Sequence, residues 1–301
     1  MEDQFEAEVV ATVGIVGPGD MGHNVGRAIQ EQAGLRVVTA LGGRSETSRE
    51  RAESAGMEDL GSLRHLVSEA DLILSIMPPG AAPGFANSVS AILHEIGAST
   101  PFAECNPLAP ETVRNIAATF EPDVPFVDAG IVGPPPGTAE GATRFYVCGP
   151  HADLMEAIAC DDIEVRHTGD ELGTASAIKM CYAALNKGAM TLRAAVLVAA
   201  KQLGVSEVFH AEVAASQPAH WNAMTKVIPW YAKDAVRQCD EMVEIQKTFT
   251  AAGVTAGFHK GAEELYELLA RTPLIEETRE TEDRDRTLEE AVRIFAAAIR
   301  L

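Results

Sequence analysis

Residues Gly17, Pro18, Gly19, Asp20, Met21 and Gly22 form a G-x-G-x-x-G loop. It follows a run of strand formers at 9–16 and opens a helix near Met21, the context in which this spacing binds phosphate. The first glycine permits the tight turn and the second lets the backbone approach a pyrophosphate. The third brings helix and strand together, and the helix N-terminus stabilises the phosphate charge. A glycine-rich βα turn without a ligand is the plainer account of a lone motif; the strand–turn–helix context favours a dinucleotide site. A second group of residues bears on which dinucleotide. The end of the next strand reads Leu41, Gly42, Gly43, Arg44, Ser45, with no acid to accept from a ribose 2′-hydroxyl. Arg44 offers a planar fork of donors suited to a 2′-phosphate, and Ser45 adds a hydroxyl, so the reading favours NADP over NAD. The competing reading is a surface arginine in a helix-starting turn.

These residues need a scaffold, and the pattern of the chain supplies one. Up to about residue 168, short β-branched or apolar runs at 9–16, 36–41, 71–77, 101–104, 125–128, 143–148 and 163–167 alternate with helical stretches such as 46–55 and 60–68. Continuous apolar runs like DLILSIM at 71–77 suit a parallel sheet covered on both faces. The expectation is an α/β Rossmann domain, a doubly wound and mostly parallel sheet, over 1–168. From 169 to 301 the texture is helical, giving an all-α C-terminal domain entered by a long helix at about 174–203. Further helices are expected at 207–216, 220–227, 230–252, 262–270 and 287–299.

Composition narrows the partners. The 301 residues are 47% hydrophobic and 23% charged, which excludes a disordered or collagen-like chain. With 24 Lys+Arg against 44 Asp+Glu, the formal charge is −20. That field repels nucleic acid and anionic lipid, so the expected partner is a small molecule that finds a local positive site. The most apolar long run, 183–200, is interrupted by Asn186, Lys187 and Arg193, which argues against a membrane span. An acidic N-terminal stretch is unlike a signal peptide. Five scattered cysteines with no C-x-x-C fit neither a disulfide framework nor a zinc site, and together these features point to the cytoplasm.

Four segments together resemble the β-hydroxyacid dehydrogenase family, which includes 3-hydroxyisobutyrate and 6-phosphogluconate dehydrogenases. They are GIVGPGDMG at 14–22, DLILSIMPP at 71–79, DAGIVGPPPG at 128–137 and GTASAIKMCYAALNKG at 173–188. The C-terminal part looks like a subgroup whose last domain has no assigned function. The resemblance implies that Lys179 is the general acid/base, that Met77 and Pro78 pass the nicotinamide side, and that Ile131, Val132, Gly133 and Pro134 form the substrate loop. It also implies a homodimer or larger homo-oligomer. A lysine in a cleft at the carboxyl ends of the strands, its charge disfavoured by desolvation, is suited to exchanging a hydroxyl proton. A lysine that only snorkels from its helix is the competing account.

The departures from the family pattern carry information. Its substrate-loop serine falls on Val132, and the polar residues three and four positions after the lysine fall on Tyr182 and Ala183. Tyr182 at i+3 and Asn186 at i+7 from Lys179 are then the candidates to orient a substrate hydroxyl, with packing or solvation as the alternative. Asn106 contacts cofactor or substrate in one reading and starts an Asn-Pro turn in the other. No histidine pair stands at metal-ligand spacing, so no metal is expected. Phe209-His210 and Phe258-His259 read as core aromatics beside a polar residue. Trp221, Trp230 and Tyr231 read as core, pocket or dimer contacts, Cys181 as a small buried residue, and the acidic stretch 276–290 as a solvated face. The resulting expectation is an NADP-dependent oxidoreductase acting on a small β-hydroxy acid or related alcohol or carbonyl. An imine reductase and a non-catalytic dinucleotide-binding protein are the alternatives.

Overall fold

The structure, a computed structural model, describes residues 10–278 and 281–299. The acidic N-terminal stretch, Val9 of the first strand run and Arg279–Glu280 of the acidic segment lie outside the described residues. The chain divides into two compact units, Met1–Met180 and Cys181–Leu301.

The first unit is built on eight strands: β1 (Thr12–Val16), β2 (Arg36–Thr39), β3 (Glu58–Asp59), β4 (Leu72–Ser75), β5 (Phe102–Glu104), β6 (Phe126–Val132), β7 (Thr143–Cys148) and β8 (Ile163–His167). Their order in the sheet is β3-β2-β1-β4-β5-β6-β7-β8, and every pairing is parallel except β6 with β7. The order reverses between β1 and β4. In open α/β sheets the crevice at such a reversal, outside the carboxyl ends of the strands, is where ligands bind.

Helices α1 (Asp20–Ala28), α2 (Glu46–Ser54), α3 (Leu63–Glu69), α4 (Ala82–Ile96) and α5 (Pro110–Ala117) connect the strands, and α1 widens into π turns at Ile29–Ala33. Each face of the sheet is buried. On one face Val25, Ile29 and Met155 pack on Val13, Ile15, Leu74 and Val127. On the other, Leu66, Val89, Leu93 and Val113 pack on Ile73, Phe102 and Phe126. Phe102 is the centre of an aromatic group, with ring centroids 4.8 Å from Phe120 and 5.8 Å from Phe126.

Helix α6 (Thr174–Gln202) matches the long helix read from the sequence. The first unit runs on through its opening turns rather than ending near Thr168. The reason is local: β6 grips the start of α6, as described below.

The second unit continues α6 and adds α7 (Ser206–Ser216), α8 (Pro218–Val227), α9 (Ala235–Ala251), α10 (Gly257–Leu269) and α11 (Leu288–Ala298). The stretch read as one helix at 230–252 begins with a 3-10 segment, Ile228–Asp234, and becomes α-helical at Ala235. Several expectations for this unit are corrected. Cys181 is exposed. Phe258 is exposed while its neighbour His259 is buried against Phe249, with ring centroids 4.5 Å apart; helical phase turns the histidine inward and the phenylalanine out. The acidic stretch is not simply a solvated face. Arg286 in it is buried, donates to the Pro229 carbonyl and pairs with Glu277, while Glu282 pairs with Lys233. Among the described residues no helix is long and apolar enough to cross a membrane.

Candidate functional site

The glycine loop leaves β1 at the reversal point, and three would-be Cβ positions show what each glycine is for. Gly17 has φ 93°, and a Cβ there would lie 2.5 Å from the Ile76 carbonyl. A Cβ on Gly22 would lie 2.3 Å from the Gly17 carbonyl, so α1 cannot approach β1 with any other residue. At Gly19 nothing lies within 4 Å, which leaves open space where a phosphate group would meet the backbone. Gly19 is also the N-cap of α1 and contributes no side-chain cap, so the helix N-terminus is available to an anion. Of the other loop residues, Pro18 is buried, Met21 packs on the core and Asp20 is half-buried. One turn on, His23 Nδ1 donates to the Gly19 carbonyl at 2.7 Å, and burial lowers the His23 pKa.

Beside this loop lies a cleft of about 150 Å³ lined by Val16, Ala40, Gly42, Arg44, Ser62 and Phe85, among others. Arg44 is exposed at its edge. Ser45, also exposed, caps α2, its Oγ accepting from the Ser48 amide at 3.3 Å. The acid at this end of the sheet, Asp59 on β3, accepts from the Leu41 and Gly61 amides through Oδ1. Arg49 on α2 donates to the Leu41 carbonyl at 2.8 Å, which brings a second guanidinium to the Leu41–Arg44 turn.

Across the reversal point, β4 ends in the Met77–Pro78 turn. The Met77 amide donates to Asn106 Oδ1 at 2.6 Å. Asn106 is buried and its Nδ2 donates to Ser75 Oγ and to Glu104 Oε1. Its amide is thus occupied by the protein. Asn106 holds the Met77 turn from beneath, a task beside the cofactor or substrate contact read from the sequence.

The next strand meets α6. Asp128 on β6 is fully buried and takes four donors. Ser176 Oγ donates to Oδ1 at 2.6 Å; the Gly173 amide, the Ser176 amide and Cys148 Sγ donate to Oδ2 at 2.9, 3.1 and 3.2 Å. Two residues on, a Cβ at Gly130 would lie 2.7 Å from the Ala175 carbonyl and 3.0 Å from Lys179 Cβ. The absent side chain lets α6 lie directly on β6, with Lys179 over Gly130. Strand alternation then sorts the substrate-loop residues. Val132 shares the Gly130 face, whereas Ile131 points to the opposite core with Ala129 and Phe145. Gly133, at φ 123°, turns the chain, and the Pro134 carbonyl accepts from Thr143 Oγ1 at 2.6 Å. Tyr182 and Asn186 lie on α6 beyond the border of the first unit, both exposed.

Comparison with known proteins follows the same division. Residues 12–160 match the NAD binding domain of 6-phosphogluconate dehydrogenase, and residues 200–269 match a domain of unknown function, DUF1932. The first unit thus carries an NAD-binding domain of the 6-phosphogluconate dehydrogenase type, and the second a DUF1932 domain. An uncharacterized 28.5 kDa protein of Methanothermus fervidus is 21% identical over 193 residues, covering 64% of this chain and 72% of that one. Among solved structures, a conserved hypothetical protein from Sinorhizobium meliloti superposes with TM-score 0.63 at 20% identity, over 99% of this chain and 100% of the other. The 3-hydroxyisobutyrate dehydrogenase of Mycobacterium tuberculosis superposes with TM-score 0.60 at 18% identity, over 94% and 98%.

An NAD-binding domain implies NAD(P), and the residues of the loop fit such a group: Gly19 is open and the α1 N-terminus carries no side-chain cap. Two buried acids, Glu104 and Asp128, are not singled out by the sequence reading. A signal for both exists. Each is an acid closing or interrupting an apolar strand run, where burial demands a partner. Burial raises the pKa of each, offset in part by the donors just described, and Glu104 is pushed up to about 8.

Proposed function

We propose that this chain is an NADP-dependent oxidoreductase that interconverts a small β-hydroxy acid, or a related alcohol, and its carbonyl compound. The nicotinamide, when bound, supplies or takes up the hydride. The chain's own part is to bind, orient and move a proton. The Gly17–Gly22 loop and α1 hold the pyrophosphate, and Met77 and Pro78 bound the nicotinamide side. The Lys179 amine takes the hydroxyl proton in oxidation and returns it in reduction. Asp128 anchors the first turn of α6 and so fixes where Lys179 stands. The observation that carries this reading is the seat of Lys179 over Gly130, on the β6 face shared with Val132.

Arg44 supports NADP over NAD, as the exposed cation at the edge of the cleft, with Arg49 close behind the same turn. Catalytic efficiency with NADPH and with NADH, before and after Arg44→Asp, tests this. We expect the wild type to prefer NADPH and the variant to lose that preference by at least about tenfold, the weight of one charge-assisted contact. A wild type that prefers NADH contradicts it.

Val132, buried and apolar where a hydroxyl would bind a carboxylate, favours a second reading in which the reduced bond is C=N. NADPH oxidation with cyclic imines against hydroxyacid oxidation separates the two. The working form in this proposal is a homodimer, supported by apolar side chains such as Leu185, Leu192 and Val208 exposed on the helical unit.

A further inference from the structure

Four polar residues stand in one register row across neighbouring strands: Ser75 on β4, Glu104 on β5, Asp128 on β6 and Cys148 on β7. All four are buried, and the row has a carboxyl group at each of its two middle places. We propose that Glu104 works as an uncharged acid and is the positioning residue that ties the Met77 turn to the start of α6. The inference rests on the cofactor reading only for its effect on binding.

The donors decide which acid carries the proton. Asp128 receives four, spread over both oxygens, and two of them are amides at the N-terminus of α6, where negative charge is favoured. Glu104 receives the amide and the side-chain Nδ2 of Asn106, both on Oε1, at 3.0 and 2.5 Å, with the Ser75 hydroxyl beside it. Its Oε2 is buried with no hydrogen-bond partner. A second carboxylate beside the first, with one oxygen receiving no donor, is disfavoured, and a proton on Oε2 removes that conflict. The groups around Glu104 are Ser75 from β4, Asn106 from its own loop and Asp128 from β6. Cys148 and Ser176 lie behind Asp128, and the buried thiol of Cys105 follows Glu104 in the chain.

The row has two ends that matter. At one, Glu104 and Ser75 hold Asn106, which holds the Met77 amide. At the other, Asp128 holds Gly173 and Ser176, three residues before Lys179. Ionising Glu104 puts a second negative charge next to Asp128 and disturbs both ends together.

The test begins on the protein without cofactor. An acid that keeps its proton more tightly in the fold than in the unfolded chain contributes stability fully present below the ordinary carboxyl range, near 4.5, and lost as pH rises toward about 8. Thermal unfolding of wild type and Glu104→Gln at about pH 5.5 and about pH 8.5 reads this directly, because the amide is uncharged throughout. We expect the wild type to lose several degrees relative to the variant across that range. We also expect an infrared carbonyl band of a protonated carboxyl in the wild type at neutral pH, missing from Glu104→Gln. Parallel melting curves, no such band, or a Glu104→Gln chain that fails to fold overturns the uncharged acid.

The positioning role is read from the dissociation constant for NADPH. It should rise several-fold between about pH 7 and about pH 9 in the wild type and stay flat in Glu104→Gln. An equal pH dependence in both overturns the positioning role. Failure of NADPH to bind at any pH sinks the cofactor reading instead, and leaves the melting curves and the carbonyl band to decide Glu104.

Discussion

The two units bury polar groups in opposite ways. In the first, the buried acid Asp128 is met by neutral donors, two amides, a hydroxyl and a thiol. In the second, buried charge is met by opposite charge: Lys187 with Glu241, Lys233 with Glu282, Arg286 with Glu277. The apolar surface divides the same way. Among the described residues the large exposed apolar side chains all lie from Tyr182 onward. A sheet closed on both faces by helices can bury its apolar residues by itself. A small helical unit has less interior to offer, and its leftover apolar faces call for a second surface. In the proposed function this becomes a division of labour, with the chemistry of the cofactor on the first unit and association on the second.

That contrast can be broken most forcefully at Lys187. Glu241 is 1% exposed, and burial lowers the Lys187 pKa while Glu241 raises it. Lys187→Met leaves a carboxylate buried without its cation, so we expect a loss of about 3–5 kcal/mol in unfolding free energy. Pairing it with Glu241→Leu should restore most of that loss, because a buried ion pair exchanged whole for apolar side chains is close to neutral. Chemical denaturation of the three proteins measures both, and NADPH affinity under folding conditions should stay unchanged in each. Equal stability of the single variant and the wild type would show that the pair is not a stability element, and the contrast between the units would lose its firmest case.

The smallest effect on the fold is expected on the apolar surface. Leu185 is 72% exposed, so Leu185→Glu should alter unfolding free energy by no more than about 0.5 kcal/mol. Sedimentation should find the wild type as a dimer and the variant shifted toward monomer. A wild type that sediments as a monomer at working concentration removes the association half of the contrast.

Much of the first unit is legible in the sequence because its strands are apolar runs. Thr143–Cys148 and Ile163–His167 have the expected bounds, and the others differ by a few residues. The two-residue strand β3 gives no such signal, being Glu58 and Asp59, both exposed. Helix α4 is hidden differently. Ala82, Ala86, Val89 and Leu93 recur at helical spacing, but Pro83 and Gly84 stand at its start and read as a turn until the N-terminal tolerance for proline is considered. Within the site, the glycine loop is legible because each glycine has a steric reason local to the chain. The structural tasks of Asn106 and Ser45 are not, because a polar side chain that holds a turn looks, in one dimension, like one that meets a ligand. The strand face of Ile131 is set by the β6 register, which a stretch rich in glycine and proline does not reveal.

The central claim is that Lys179 is the proton-exchanging group of a cofactor-dependent reaction. Its most direct test compares wild type with Lys179→Met in two measurements, NADPH affinity and turnover on a panel of small β-hydroxy acids and related alcohols and carbonyls. The account predicts nearly unchanged NADPH affinity and a fall in turnover of about 10²–10⁴, the usual weight of a positioned acid/base group. Full turnover in Lys179→Met would contradict it.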